Sequence, residues 1–409
     1  MKTLDIERTL TDHSYFLTSR LKKNPEWIPQ ILASPFLTTR KEKQDMMEDL
    51  KKIFPSPDSV SFQETQKKLR DYKYFEIGRI AVKDLAGLSP FEDIGCELSS
   101  LNAACLEIAQ SVVFHLLPWD LPCSRIFTTI GLGKMGGHDL NFSSDIDILY
   151  LFDIPDEKIF SSHQDTEKIF QYFTTCSEMI TRLMQERTED GIIARVDLEL
   201  RPRGKSGAII NSIDSLLTYY EIAGAPWERS VMIKATPVAG DQTLGQKFTK
   251  QISPFVYRRS IDTSVIDDLK KMKEKINQEM PPISEYNVKL GRGGIRELEF
   301  FVSAFQLIYG GRELLLRERN TLKALRVLKE LHLIPEKEAL DLKESYIFLR
   351  RIENRLQMLE ERQTHTLPSD NNALQNLAKS MGLLSVDQLL SELHQKTNKI
   401  SECFEKLAS

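Results

Sequence analysis

The sequence predicts an α+β fold, with a small mixed sheet set between N-terminal helices and a C-terminal helical bundle. Three observations carry that expectation. Apolar residues recur at helical spacing up to about residue 120, short runs dense in β-branched and aromatic residues follow, and the helical period returns after about residue 255.

Leu101, Cys105, Ile108, Val112 and Leu116 are spaced by three and four, so they share one helical face, and Pro118 and Pro122 close that region. RIFTTIGL and DIDILYLF read as buried strands, with VDLEL and GAIINS as shorter candidates. Among these runs, TEKIFQYFTTCSEMITRLMQER reads as one long amphipathic helix. Val265, Leu269, Met272 and Ile276 mark a later helix, and Leu342, Tyr346, Leu349, Ile352, Leu356 and Leu359 a longer one. Such stripes are packing faces of a bundle and carry no catalytic meaning. The expected division is a first domain over 1–250, helical to 120 and mixed from 121 to 250, and a bundle over 255–409.

Composition narrows the function classes. The 409 residues carry 55 Lys and Arg against 59 Asp and Glu, a net charge of −4. A polynucleotide-binding domain draws its affinity from a basic excess, which is missing here, so no nucleic-acid partner is expected. Five cysteines (Cys96, Cys105, Cys123, Cys176, Cys403) form no C-x-x-C pair, which favours a reducing compartment and disfavours zinc. MKTLDIERTL places acids where a signal peptide needs an apolar core. LNAACLEIAQSVVFHLL holds Glu107, Gln110 and His115 and is too short and polar to span a bilayer. A cytoplasmic protein with no membrane partner is expected.

The chemistry is concentrated between Thr128 and Asp153. Gly131-x-Gly133-x-x-Gly136 matches a dinucleotide fingerprint, with Asp153 about twenty residues on. That fingerprint requires a crossover helix after the glycines, and KMGGHDLNFSS is too short to supply one. The second pattern is Gly136-Gly137 followed by Asp145-Ile-Asp147 at the head of an apolar strand. Alternation puts Asp145 and Asp147 on one face. Two adjacent carboxylates repel one another, and a pair of Mg²⁺ ions would reverse the sign, because hard cations take oxygen ligands and bridge to phosphates. Asp197, between Val196 and Leu198 on a later strand, completes three carboxylates of the kind a two-metal phosphoryl or nucleotidyl transfer uses. The plainer alternative makes Ser-Asp a turn and Asp197 a surface acid.

Gly136, Gly137, Ser144 and Lys134 are the candidate nucleotide or phosphate contacts beside the acids. Arg201, Arg203 and Lys205 follow in a polar loop that suits phosphate oxygens, or that is simply a solvated turn. KLGRGGIRELEF, with Lys289, Arg292 and Arg296, opens a helix and offers either an anion site or an ordinary helix start with Arg296 paired to Glu297 or Glu299.

These residues resemble a known family, the bifunctional glutamine synthetase adenylyltransferase and adenylyl-removing enzymes. The likeness lies in GLGKMGGHDLNFSSDIDILYLF, RVDLELRPRGKSGAIINS, YYEIAGAPWERSVMIKATPVAGD, FVYRRSIDTSVIDDLKKMK, NVKLGRGGIRELEFFVSAFQLIYGGRE and FLRRIENRLQ with QTHTLPSD, from about residue 125 to 370. The resemblance implies a polymerase-β-like nucleotidyltransferase core, Mg²⁺, and ATP, ADP, AMP and phosphate as substrates or products. It implies glutamine synthetase as protein partner and a nitrogen-signalling PII protein as a possible regulator. Family members carry two homologous halves, one removing AMP from a tyrosine by phosphorolysis and one adding it from ATP. This chain has one half, and GGIRELEF and WERSVMIKA are more similar to the removing type. The chain departs from the family pattern at His138-Asp139, where a basic residue and Glu are usual, and at Glu199, where Arg is common. The expected function is removal of AMP, with addition of AMP or a catalytically weak regulatory module as the alternatives.

Overall fold

The structure, a computed structural model, describes residues 14–56, 60–119, 126–154, 163–258, 263–279 and 286–407. MKTLDIERTL, Pro122, Cys123 and the Val265 side chain lie outside the described residues.

Five helices open the described chain: α1 (Tyr15–Lys23), α2 (Trp27–Ala33), α3 (Lys43–Ile53), α4 (Phe62–Leu85) and α5 (Phe91–Leu116). The sheet region follows as β1 (Phe127–Gly131), the single turn α6 (Gly133–Gly136), β2 (Ile146–Phe152), α7 (His163–Gln185), β3 (Val196–Asp197), β4 (Ile210–Ser212), α8 (Ile213–Ala223), α9 (Pro226–Met232) and β5 (Thr236–Gly240). Helices then return: α10 (Gln242–Val256), α11 (Thr263–Gln278), α12 (Ile295–Tyr309), α13 (Thr321–Glu330), α14 (Glu336–Glu360), α15 (Asn371–Ser380) and α16 (Val386–Lys406). Side-chain oxygens of Ser61, Ser212, Asp241 and Ser385 accept the exposed N–H groups that open α4, α8, α10 and α16. The fold is thus mixed α+β, dominated by helix.

The sheet is also mixed. β1 lies antiparallel between β2 and β5, and the far edge of β2 pairs in parallel with β3 at its start and with β4 at its end. Because β1 and β2 are antiparallel neighbours, the glycine run between them is no βαβ crossover, and the dinucleotide reading fails on topology. VDLEL is strand for two residues only: the Asp197 carboxylate accepts the Glu199 N–H at 2.7 Å and turns the chain. β5 was not foreseen, since TPVAG offers neither alternation nor a β-branched run.

Three apolar cores hold the molecule. One face of the sheet packs on α3, α4, α5 and α7; a second core fills the bundle around α12, α13, α14 and α16. The third, on the other sheet face, joins Ile130, Leu149 and Phe248 to Phe300, Ala304 and Phe404. The bundle therefore shares a core with the sheet. The apolar helix α5 is buried along most of its length between these layers, which accounts for its hydropathy. No described helix is long and apolar enough to cross a membrane.

Buried charges stitch the first helices together. Lys41 Nζ lies 2.6 Å from both Asp49 and Glu76, Arg79 bridges Glu76 at 2.7 Å and Glu97 at 2.6 Å, and Lys83 also pairs with Glu97. Glu76, Arg79, Lys83 and Glu97 have 0% exposed side chains.

Candidate active site

Asp147 stands on β2, in register with Asp197 on the parallel neighbour β3. The Leu132 N–H donates to the Asp147 carbonyl at 2.8 Å, so the end of β1 and the start of α6 are fastened beside this residue. The Asp147 carboxylate lies over Gly133: a Cβ there would come within 2.3 Å of Oδ2, and the φ of 49° already favours glycine. Burial, then Asp197, pushes the Asp147 carboxyl up to about 7; Lys289 pulls it back, Asp145 adds to the rise, and Lys134 opposes it.

Asp145 precedes the strand, and its carboxylate accepts from Arg195 Nε. The same guanidinium donates to the Ser143 carbonyl and, at 3.2 Å, to Ser143 Oγ. Asp145 is thereby drawn toward Arg195, and one Asp197 oxygen is taken by the Glu199 N–H. Among the described residues no group of three His, Cys, Asp or Glu side chains is gathered to hold an ion as it stands. The donor chemistry nevertheless suits Mg²⁺: hard carboxylate oxygens from Asp147 and Asp197 on adjacent strands, with Asp145 two residues away, in a setting whose mutual repulsion a cation relieves.

The other sequence candidates divide. Ser144 Oγ accepts the Asn141 N–H at 3.1 Å and closes the loop before β2. Gly136 and Gly137 answer to packing: a Cβ would stand 2.0 Å from the Lys234 carbonyl at the first and 3.1 Å from the Arg319 carbonyl at the second. Lys134 is partly buried and bonded to both Glu353 oxygens, at 3.1 and 3.2 Å. Arg201 spends its guanidinium on the carbonyls of Leu198, Lys205 and Gly207, so it shapes its own loop rather than presenting a free fork. Lys205, exposed, pairs with Glu199 at 2.9 Å. Arg203, with a φ of 62°, lines a groove of about 410 Å³ with Ser206, Asn211, Ser215 and Tyr219, whose lining includes none of the three aspartates. Arg292 reaches Ser401 on α16 at 2.9 Å, and Arg296 pairs with Glu279, not with Glu297 or Glu299.

Sequence reasoning missed what supports the loop from 137 to 145. Arg350 of α14, fully buried, donates at 2.7 Å to the Asp139 carboxylate and carbonyl and also to Asn141. The Tyr346 hydroxyl sits 2.8 Å from Asp139 and 3.0 Å from Glu299, and Gln357 accepts the Ser143 N–H at 2.9 Å. Glu353 takes Lys134, Arg350 Nε at 3.1 Å and His365 Nδ1 at 2.9 Å. Although burial opposes it, Lys134, His365 and Arg350 hold the Glu353 carboxyl well below the usual range. The available signal was FLRRIENRLQ, where charges at 350 and 353 interrupt an apolar stripe. Asp139 thus supplies the carboxylate that Arg350 binds.

Comparison with known proteins gives two family matches. Residues 7–251 match glutamate-ammonia ligase adenylyltransferase, and residues 266–408 match GlnD PII-uridylyltransferase. The chain is 38% identical over 348 residues to a bifunctional glutamine synthetase adenylyltransferase/adenylyl-removing enzyme of Nitrosococcus oceani, covering 83% of this chain and 36% of that protein. It is 38% identical over 328 residues to the enzyme so named in Xanthobacter autotrophicus, covering 77% and 33%. Against that of Shewanella loihica it is 32% identical over 408 residues, covering 98% of this chain and 42% of the relative. The chain thus spans between a third and about two fifths of the length of these relatives.

Proposed function

We propose, for a chain that belongs to the glutamate-ammonia ligase adenylyltransferase family, that it removes AMP from an adenylylated tyrosine of glutamine synthetase by phosphorolysis. The observation that carries this reading is the pairing of Asp147 with Asp197 across β2 and β3, in a chain of this family. The direction rests on GGIRELEF and WERSVMIKA, which resemble the removing type.

An oxygen of inorganic phosphate attacks the AMP phosphorus, the bond to the tyrosine oxygen breaks, and the phenol leaves with a proton from solvent, giving ADP. Asp145, Asp147 and Asp197 would hold Mg²⁺, which when bound supplies charge neutralisation at the transferred phosphorus. The protein's own share is positional. The β2–β3 register sets two carboxylates side by side, Gly133 leaves room for one of them, and Arg195 holds Asp145 at the strand entrance. Phosphate is already largely ionised near neutrality, so this direction needs no general base. In the opposite direction Asp197 would accept the phenol proton.

The same reading takes the sheet region within 1–250 as a polymerase-β-like nucleotidyltransferase domain and 255–409 as a bundle domain. A PII-type signalling protein as regulator is supported by the match of 266–408 to PII-uridylyltransferase. The test runs both directions with one glutamine synthetase preparation. Phosphate-dependent release of ADP from the adenylylated form, abolished by EDTA, is the expected result. Pyrophosphate release from ATP with AMP transfer and no phosphorolysis would reverse the direction, and turnover in neither would leave a regulatory module.

A further inference from the structure

We propose that the groove between α13 and α14 is a docking site for an acidic peptide segment of another protein, one that carries carboxylates beside an apolar anchor. The inference goes beyond the reaction proposed above and depends neither on its direction nor on turnover.

The groove has a volume of about 350 Å³ and lies between two helices that pack on each other, with Glu92 of α5 also in its lining. Leu322, Leu325 and Ala339 are buried in its walls, and Leu340 is left 50% exposed. Cations share the lining with them. Lys323, Arg326 and Lys329 recur every third residue, so they form a slanting row along α13, roughly 9 Å from first to last at about 1.5 Å per residue. Lys343 brings a fourth positive charge from α14. Four cations thus stand against the one carboxylate of Glu92, in a chain whose overall charge is −4.

The partners these cations already have are weak ones. Arg326 lies 3.7 Å from Glu330, Lys329 3.5 Å from Glu336 and Lys343 3.7 Å from Glu92. Lys323 is exposed and makes no ion pair among the described residues. Long pairs at an exposed surface stabilise little, so they exchange readily for the carboxylates of a partner. The mixture of side chains then selects the occupant. A free phosphate is held best by donors that converge on it, whereas here leucines stand among the cations. A peptide with acids along the row and an apolar side chain in the groove satisfies both parts of the lining.

The groove also borders the supports of the aspartates. α13 begins beside Asn320, whose Nδ2 donates to the Gly137 carbonyl at 3.2 Å, and α14 holds Asp139 through Tyr346 and Arg350. An occupant therefore touches both helices that fasten the loop leading to Asp145 and Asp147.

The test uses the full chain and a fluorescent peptide of glutamate and leucine, followed by anisotropy. The peptide should bind wild type, and its affinity should fall as salt rises. Lys323→Glu combined with Arg326→Glu should weaken binding about tenfold, because like charges then face each other. Leu340→Asp should weaken it as well. The Arg326 side chain is 65% exposed and Leu340 50%, so these variants should keep the wild-type unfolding midpoint. Lys22→Glu combined with Lys52→Glu makes the same change of charge at exposed positions elsewhere and should bind as wild type does. No binding by wild type, or an equal loss in the two double variants, overturns the inference. Three further results overturn it as well. Equal affinity for a peptide with serine in place of leucine removes the anchor. Full displacement by inorganic pyrophosphate makes the groove a plain anion site. Self-association of wild type that Lys323→Glu with Arg326→Glu abolishes makes it a contact between copies of this chain.

Discussion

The N-terminal helices and the loop that carries the aspartates are both held by buried charges, yet the first set closes on itself and the second spans the chain. Lys41, Glu76, Arg79, Lys83 and Glu97 all lie in the N-terminal helical region, Lys41 in the loop before α3 and the others in α4 and α5. Asp139, Arg350, Glu353 and Lys134 join residues separated by 211 and 219 positions. A network confined to neighbouring helices specifies their packing. One that crosses from the bundle to the loop before β2 also fixes where Asp145 and Asp147 stand. The difference teaches that burial and pairing alone do not separate scaffold from site support; the elements joined do.

The sharpest break in this comparison is expected at the acid cluster, where removing a charge should have the opposite sign. Asp147→Asn should abolish turnover while leaving the unfolding midpoint unchanged or higher, because a repelled, buried carboxylate is lost. Activity assay and thermal unfolding on one preparation check it, and wild-type turnover would remove Asp147 from the chemistry.

Next in size are Arg79→Met and Arg350→Met. Taking one partner from a buried charged set costs about 3–5 kcal/mol, so both should lose comparable stability in denaturant titrations. Only Arg350→Met should also lose turnover at temperatures where it remains folded. Turnover that follows the folded fraction equally in both variants would erase the distinction between the networks.

Glu353→Gln keeps the shape and removes the charge that Lys134 and Arg350 bind, with an expected loss of about 1.5–3 kcal/mol. Tyr346→Phe removes a single hydroxyl shared between Asp139 and Glu299 and should cost about 1 kcal/mol. Equal losses in these two would show that the paired charge contributes no more than the hydroxyl.

A separate effect, confined to one pH window, is expected at a carboxyl outside both networks. Burial raises the Glu297 carboxyl from an ordinary 4.5 to about 7, with Glu405 adding to the shift and Gly293 and Arg292 opposing it. The folded state then keeps this proton after the unfolded chain has lost it, so the contribution to stability falls as pH rises between those two values. Glu297→Gln should flatten that slope and raise the unfolding midpoint at pH 8 relative to wild type. A parallel pH profile in the variant would refute it.

Much of the architecture was legible because it is written in local pattern. DIDILYLF became β2 and the 163–185 run became α7, since alternation and helical stripes are short-range signals. β5 was not, because Pro237 and Gly240 conceal a strand whose place is set by pairing with β1. At the site, the sequence singled out Asp145, Asp147 and Asp197, and the structure puts Asp147 and Asp197 in register. The basic residues were harder. Arg201 and Lys205 read as phosphate ligands until their partners within the loop are seen, and a residue type does not disclose whether its hydrogen bonds are already spent. Arg350 and Glu353 left only charges interrupting an apolar stripe, because their partners in the segment before β2, 211 and 219 positions away, cannot be read from that helix alone.

The segment from Leu198 to Ile209 leaves the edge of β2 after β3 and returns to the same edge at β4. Both ends are pinned in parallel register to one strand, so the intervening stretch is an arch on a fixed footing. Changes in its length or surface are absorbed between the two anchors and leave the register of Asp147 with Asp197 intact. Substitutions or insertions in this arch should therefore leave the acids where they are. For the experimenter, Arg203 to Ser206, largely exposed within this arch, is a place for a fluorophore or an inserted tag that should leave the β2–β3 register undisturbed.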